Sequence, residues 1–167
     1  MLRVEKFTED DYPLYSRLVF NEQTMRMNLG RVFTEEEARL FFQAVLSCNA
    51  ANPDRGFFKV FAEQGQAIEY IGIGALTWND DYNTIEIEYM LLPQYWHQGY
   101  GTELVKLLLQ SVSEADQKTD VVAITDPANT YSKRILQHAR FQFVKQYVNP
   151  DGEPAELYIR SSEYANS

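Results

Sequence analysis

The chain has 167 residues, a formal net charge of −9 and a single cysteine, Cys48. That length fits one domain, residues 1–167, able to bury about two-thirds of the surface its unfolded chain would expose. The acidic balance excludes non-specific nucleic-acid binding, which needs basic surface, and one cysteine excludes an internal disulfide or a cysteine-based zinc cluster. The N-terminus lacks the apolar core of a signal peptide and no run of about 20 apolar residues exists, so a cytoplasmic protein without a membrane partner is expected. The −9 charge suits either solubility or a cationic partner such as an amine. Aromatic residues make up 14% of the chain, enough for a core and a walled cleft.

Residues 2–7 alternate apolar and charged side chains and read as a strand. Thr8 is a helix N-cap followed by Glu9, Asp10 and Asp11, which suit the positive end of a helix running to about Val19. Residues 21–30 read as a second short helix ended by Gly30. Thr34 and Glu37 form a capping box, and Ala38, Phe41, Phe42, Val45 and Leu46 give the helix they open one apolar face. Cys48 falls in this pattern as filler. After the turn at 52–56, residues 57–63, 68–78 and 84–92 read as three strands joined by short turns, hence antiparallel. Pro93 ends the third. A glycine loop and a helix over about 100–113 follow, then a strand at 120–125, a helix at 129–139 and two strands at 141–148 and 155–160. The order describes a mixed α/β domain with one parallel crossover through the glycine loop and its helix. Exposed strand edges near the C-terminus make a homodimer possible.

The loop Trp96-His-Gln-Gly99-Tyr-Gly101 lies between a strand and a helix. Glycines there let a ligand approach the backbone, and the first helix amides make an anion site. The Gly-Lys-Ser/Thr of a P-loop is absent, and Leu104 stands where a dinucleotide fingerprint needs its third glycine.

Residues 84–104 and 126–141 resemble the GNAT superfamily of acetyl-CoA-dependent N-acetyltransferases. Pro93, Tyr95, Trp96, Gly99, Tyr100, Thr102 and Glu103 are in register with the loop of the ribosomal-protein (RimJ/RimL-like) and spermidine-type branch. His97 stands in place of that branch's first glycine and Gly101 in place of its alanine, the second exchange being expected to be harmless. Asn129-Thr-Tyr-Ser132 is similar to its Asn-x-x-Ser motif, and Arg140 replaces the glycine that usually follows, which suggests a differently closed helix end. The resemblance implies the GNAT fold, a mostly antiparallel mixed central sheet flanked by helices. It implies an acyltransferase (an N-acetyltransferase) using acetyl-CoA on a primary amine such as a protein N-terminus, a polyamine or a small amine. The alternative is a non-catalytic acyl-CoA-binding or interaction module on the same fold.

Moving acetyl from a thioester to an amine needs a base, because a lysine-like amine with a pKa of about 10.4 is protonated at neutral pH. Glu86 and Glu88 share one face of a strand, and two carboxylates this close can raise one pKa; alternatively both are solvent-facing. The resemblance points to Glu86. It also implies a backbone amide at Met90, Leu91 or Leu92 as the donor to the thioester oxygen, and His97, Gln98, Gly99, Tyr100, Gly101 and Thr102 as the phosphate loop. Many superfamily members carry a proton-donating tyrosine where this chain has Leu136, so Ser132 is the candidate, with Tyr131 as alternative; Ser132 also reads as a helix-start residue. Asn129 would bond the pantetheine arm, or act as an N-cap. Lys133, Arg134 and His138 read as helix surface and cap. No metal-ligand cluster appears in the sequence. The acceptor is expected between the helices of residues 8–50 and the strands around 78–92.

Overall fold

The computed structural model describes residues 1–115 and 119–164; residues 116–118 and 165–167 of the expected 1–167 domain lie outside the described ones. Strand β1 (Leu2–Lys6) leads through a 3-10 turn (Glu9–Asp11) into α1 (Tyr12–Val19), α2 (Glu22–Arg26) and α3 (Glu35–Ala51). Strands β2 (Gly56–Gln64), β3 (Ala67–Asn79) and β4 (Thr84–Leu91) follow, then α4 (Tyr100–Ala115), β5 (Val121–Thr125), α5 (Thr130–His138), β6 (Gln142–Val148) and β7 (Pro154–Arg160). The second helix is shorter than expected. It stops at Arg26, and the amides of Leu29 and Gly30 both bond back to the Met25 carbonyl in a turn that closes with Gly30 at φ 82. The Thr34–Glu37 capping box opens α3 as expected, each partner accepting from the other's backbone amide.

The seven strands lie in the order β1-β2-β3-β4-β5-β7-β6, all neighbours antiparallel except β4 and β5. The parallel pair is the crossover through α4, since parallel neighbours cannot be joined by a hairpin. Its register covers only Ile85 with Val121 and Glu86 with Val122, while β4 stays paired to β3 along its whole length. The sheet therefore parts between β4 and β5 beyond Glu86. Helices cover it in two groups. Helices α4 and α5 bury Leu104, Leu108 and Leu136 against Ile71, Ile87 and Val121; α1–α3 bury Tyr15, Leu18, Met25 and Phe42 against Tyr70 and Ile73. Side chains alternate along a strand, so β4 sends Ile87 and Leu91 into the first group and Met90 against the second.

Gly72 of β3 sits opposite Leu91. A Cβ there would meet the Met90 carbonyl oxygen at 2.2 Å and the Leu91 Cα at 2.9 Å. Both are backbone atoms with no rotamer to yield, so only glycine allows β3 to lie this close to the end of β4. Gly72→Ala is expected to lower stability by about 1–3 kcal/mol, the range for forcing atoms into a packed interior, measured by denaturant unfolding.

Candidate active site

The loop after β4 is tied to the strand it leaves. Trp96 Nε1 donates to the Leu91 carbonyl at 2.8 Å, and Pro93 opens a 3-10 turn. His97 takes φ 59 and Gly99 φ 87. His97 thus adopts the left-handed conformation that a glycine would take without strain, so the loop keeps its turn despite the exchange. The first helical bond of α4 runs from the Glu103 amide to the Gly99 carbonyl. The amides before it point out of the helix end, beside the exposed His97, Gln98 and Gly99.

Helix α5 begins across the gap from this loop. Asn129 Oδ1 accepts from the Ser132 amide at 3.1 Å, so Asn129 is the N-cap. The buried Ser132 hydroxyl meets the Tyr89 hydroxyl at 2.8 Å. Burial pushes the Tyr89 phenol up to about 12, and the Ser132 bond opposes it. Tyr89 went unmarked in the sequence because it continues the apolar alternation of Ile85 and Ile87; a hydroxyl-bearing aromatic at the end of that face was the available signal. The Tyr131 ring stands edge-on to His97, with centroids 4.9 Å apart. Its hydroxyl is buried without a protein partner.

At Gly101 a Cβ would lie 2.6 Å from Ile135 Cδ1 and 3.1 Å from the Tyr131 hydroxyl, both side-chain ends that would have to shift for alanine. The differently closed helix end expected at Arg140 is corrected. At φ 69 Arg140 takes the left-handed position itself, with Phe141 N bonded to the Leu136 carbonyl (2.9 Å) and Arg140 N to the Gln137 carbonyl (3.1 Å). This is the usual double closure of a helix end, built with arginine where glycine is favoured. Lys133 reaches Glu156 at 3.3 Å and the Pro127 carbonyl, which anchors α5 to β7. His138 is exposed in the last turn of α5.

Of the three amides expected to hold a thioester oxygen, one faces the gap. Leu92 N–H donates to the Ile71 carbonyl at 2.8 Å, toward β3. Backbone groups alternate sides along a strand, so Met90 also faces β3, whereas Tyr89 and Leu91 face the gap. The Met90 and Leu92 amides are thereby set aside by β3 pairing.

Three cavities meet here. A narrow channel of about 90 Å³ runs between Met90, Leu91, Trp96, Gly101, Asn129, Tyr131 and Ser132. A polar cleft of about 360 Å³ holds Glu86, Glu88, Asp126 and Glu153, with Arg26. An apolar cavity of about 250 Å³ lies under α1 and α3. Asn28 and Tyr89 line all three, and Glu88 lines the two larger ones. Glu86 accepts from Asn79 Nδ2 at 2.8 Å. Glu88 is an exposed residue of β4 and lines both larger cavities. Desolvation by the surrounding protein, reinforced by the neighbouring Glu86, pushes its carboxyl well above the usual 4.5.

Residues 1–142 match the family model described as an acetyltransferase (GNAT) domain. The chain belongs to the GNAT acetyltransferases. A comparison with curated protein sequences finds no match. Among solved structures, the GNAT-family acetyltransferase of Bacillus anthracis superposes with a TM-score of 0.79 at 19% identity, over 97% of this chain and 95% of that one. Spermidine N-acetyltransferase of Vibrio cholerae, in complex with CoA and spermine, gives 0.77 at 13% identity, over 99% and 98%. The Salmonella typhimurium enzyme that modifies the N-terminal serine of a 50S ribosomal subunit protein gives 0.77 at 17%, over 96% and 94%. These likenesses establish the fold, including β6 and β7 beyond the family match. Among the described residues no helix is long and apolar enough to cross a membrane.

GNAT acetyltransferases use acetyl-CoA, and the residues present fit it. The outward amides at the start of α4 suit the pyrophosphate. The channel suits a thin arm, and the Tyr131 hydroxyl inside it lacks a partner that a ligand would supply. Among the described residues the buried hydroxyls without one are those of Tyr70 and Tyr131, and of these Tyr131 lines these cavities.

The raised Glu88 pKa has a stability consequence. Below 4.5 the carboxyl is protonated folded and unfolded, at no cost. Between 4.5 and the raised folded value the unfolded chain releases the proton first, so stability falls as pH rises and stays reduced above. Glu88→Gln is therefore expected to raise the melting temperature at pH 8, with the gain fading toward pH 4 in parallel melts.

Proposed function

We propose that residues 1–167 act as one N-acetyltransferase domain that moves the acetyl group of acetyl-CoA to a primary amine where β4 parts from β5. The observation that carries this reading is that β4 presents Glu88 to the α1–α3 side while its Leu91 amide and Tyr89 face the gap and α5. Donor and acceptor can then meet across one strand from opposite sides. Bound acetyl-CoA supplies the activated thioester carbonyl. The backbone of His97, Gln98, Gly99, Tyr100, Gly101 and Thr102 holds its phosphates. The side-chain amide nitrogen of Asn129, whose oxygen caps α5, bonds the pantetheine arm, with Ser132 and Tyr89 as the adjoining hydroxyl pair. The Leu91 amide receives the negative charge that develops on the carbonyl oxygen.

Glu88, rather than Glu86, is the base. Its raised pKa brings it nearer the pH at which proton transfer is most effective, and the Glu86 charge is one cause of that rise. Glu88 takes the ammonium proton, the nitrogen lone pair forms the N–C bond, and the C–S bond breaks. Tyr131 gives its hydroxyl proton to the leaving thiolate and is reprotonated through solvent by the second proton that the acylated nitrogen sheds, so the products are the N-acetylamine, CoA as the thiol and the proton held by Glu88. Tyr131 is preferred over Ser132 because the Ser132 hydroxyl is already paired with Tyr89, whereas that of Tyr131 is buried and unpaired, a state that costs about 1–3 kcal/mol unless a ligand satisfies it. The spermidine and N-terminal serine acetyltransferases with this fold act on primary amines, which supports an amine acceptor.

Glu88→Gln and Tyr131→Phe are each expected to lower kcat by about 10²–10⁴ in a free-thiol release assay, with acetyl-CoA affinity retained by calorimetry. The rise of kcat/KM with pH through the raised Glu88 pKa should vanish in Glu88→Gln. Unchanged turnover in both variants would move the chemistry to other groups, and no turnover with intact acetyl-CoA binding in the unaltered protein would favour a binding module.

A further inference from the structure

The apolar cavity of about 250 Å³ is enclosed by α1, α3, Phe33 and the strands β2–β4. Its walls include Tyr15, Val19, Phe33, Phe41, Phe57 and Ile73. Phe33 and Phe41 stack at 4.8 Å with an interplanar angle of 20°, and Phe41 is 52% exposed, so an aromatic pair flanks the way in. Among the residues lining this cavity, Glu88 alone carries a charge. Its carboxylate stands where the cavity joins the polar cleft, and Tyr89 on the next position of β4 borders the donor channel.

This arrangement selects among amines. A polyamine or aminosugar seated here would bring a second ammonium, or hydroxyls, into walls that offer no further charged partner, and buried polar groups without partners are penalised. One cation with an apolar body matches both features: the nitrogen pairs with Glu88 and the body leaves water for aromatic and aliphatic walls. Size agrees, since an apolar cavity of about 150 Å³ already holds benzene, and the larger volume here takes a ring with a short linker. The polar cleft is the less suited seat for such an amine, because it sets Arg26 against its carboxylates.

We propose that the acceptor is a primary monoamine joined through a short linker to one aryl or branched alkyl group, with that group in the cavity between α1, α3 and β2–β4 and the nitrogen on Glu88. This rests on Glu88 being the residue that receives the amine. The transfer itself is unchanged: the N–C bond forms as the C–S bond breaks, one ammonium proton passes to Glu88, the second replaces the proton that Tyr131 gives to the sulfur, and CoA leaves as the thiol.

The test compares 2-phenylethylamine and isoamylamine with ethylamine and spermidine by kcat/KM, beside calorimetric titration of 2-phenylethylamine in the presence of CoA. Ala44, on the cavity-facing side of α3 and itself exposed, is changed to Phe to fill the cavity, with the melting curve as control for folding. The two apolar amines should exceed ethylamine and spermidine by about tenfold or more, the scale set by apolar groups in a hydrophobic pocket. Ala44→Phe should lower the ratio of 2-phenylethylamine to ethylamine by a similar factor. Preference for spermidine, or an unchanged ratio in Ala44→Phe, would overturn the proposal. If no amine is acetylated yet 2-phenylethylamine binds, and Ala44→Phe weakens that binding, the ligand class stands and the catalytic reading falls. Absence of binding and of reaction would sink the ligand class.

Discussion

Strand β4 has a neighbour on both sides, but one of them leaves after two residue pairs. Backbone polar groups inside a protein must find partners, so the parting of β4 from β5 beyond Glu86 creates a demand that the rest of the site is built around. The Leu91 carbonyl is met by the Trp96 indole, which pins the glycine loop to the strand at 2.8 Å. The Leu91 amide is left facing the gap. On the other edge, Gly72 lets β3 come within contact of the Met90 and Leu91 backbone, which holds β4 in place where β5 no longer does. The opening is therefore framed by a strand that stays paired along its other edge.

A strand that opens in this way also separates chemistry by parity. Glu86 and Glu88 point toward α1–α3, and Tyr89 toward α5. Were a base and a proton donor side by side, they would share a hydrogen bond and spend their proton on each other. Across the sheet they are kept apart, and each acquires its own environment. Glu88 lies against apolar walls and beside a like charge, both of which favour its neutral form. The opposite face offers hydroxyls: Tyr89 with Ser132, and Tyr131 alone.

Much of this was legible in the sequence, for local reasons. The capping box at Thr34, the turn residues, the alternation in β4 and the strand-glycine-helix unit each follow from neighbours along the chain, and every expected element is present to within a few residues apart from the shortened α2. What stayed hidden depends on partners distant in sequence. Which of Met90, Leu91 and Leu92 presents its amide was set by the bond between Leu92 and Ile71. That the Glu88 carboxyl is pushed up was set by its three-dimensional surroundings and by the neighbouring Glu86 charge. The apolar cavity needs Tyr15, Phe41, Phe57 and Ile73 together, and nothing in their spacing announces it. Asn129 and Ser132 were marked by motif, whereas Tyr89, the partner that occupies the serine hydroxyl, lies on a distant strand and in no motif.

The two departures from the resembled phosphate loop both lie beside Tyr131. A glycine at position 97 would place no ring beside Tyr131, whereas His97 stands edge-on to it at 4.9 Å. An alanine at position 101 would put a methyl carbon 3.1 Å from the Tyr131 hydroxyl and closer still to Ile135; glycine leaves that space to them. His97 bears the left-handed backbone, worth roughly 1–2 kcal/mol against a side chain with Cβ, and Gly101 gives up a helix-favouring methyl, worth roughly 1 kcal/mol. Each exchange is unfavourable for its own backbone, and together they admit and orient one aromatic side chain at the channel wall. Local rules are expected to be broken where function requires it. The buried, unpaired Tyr131 hydroxyl beside these two positions, against a Ser132 hydroxyl already bonded to Tyr89, favours Tyr131 as the group that meets the leaving sulfur in the proposed transfer.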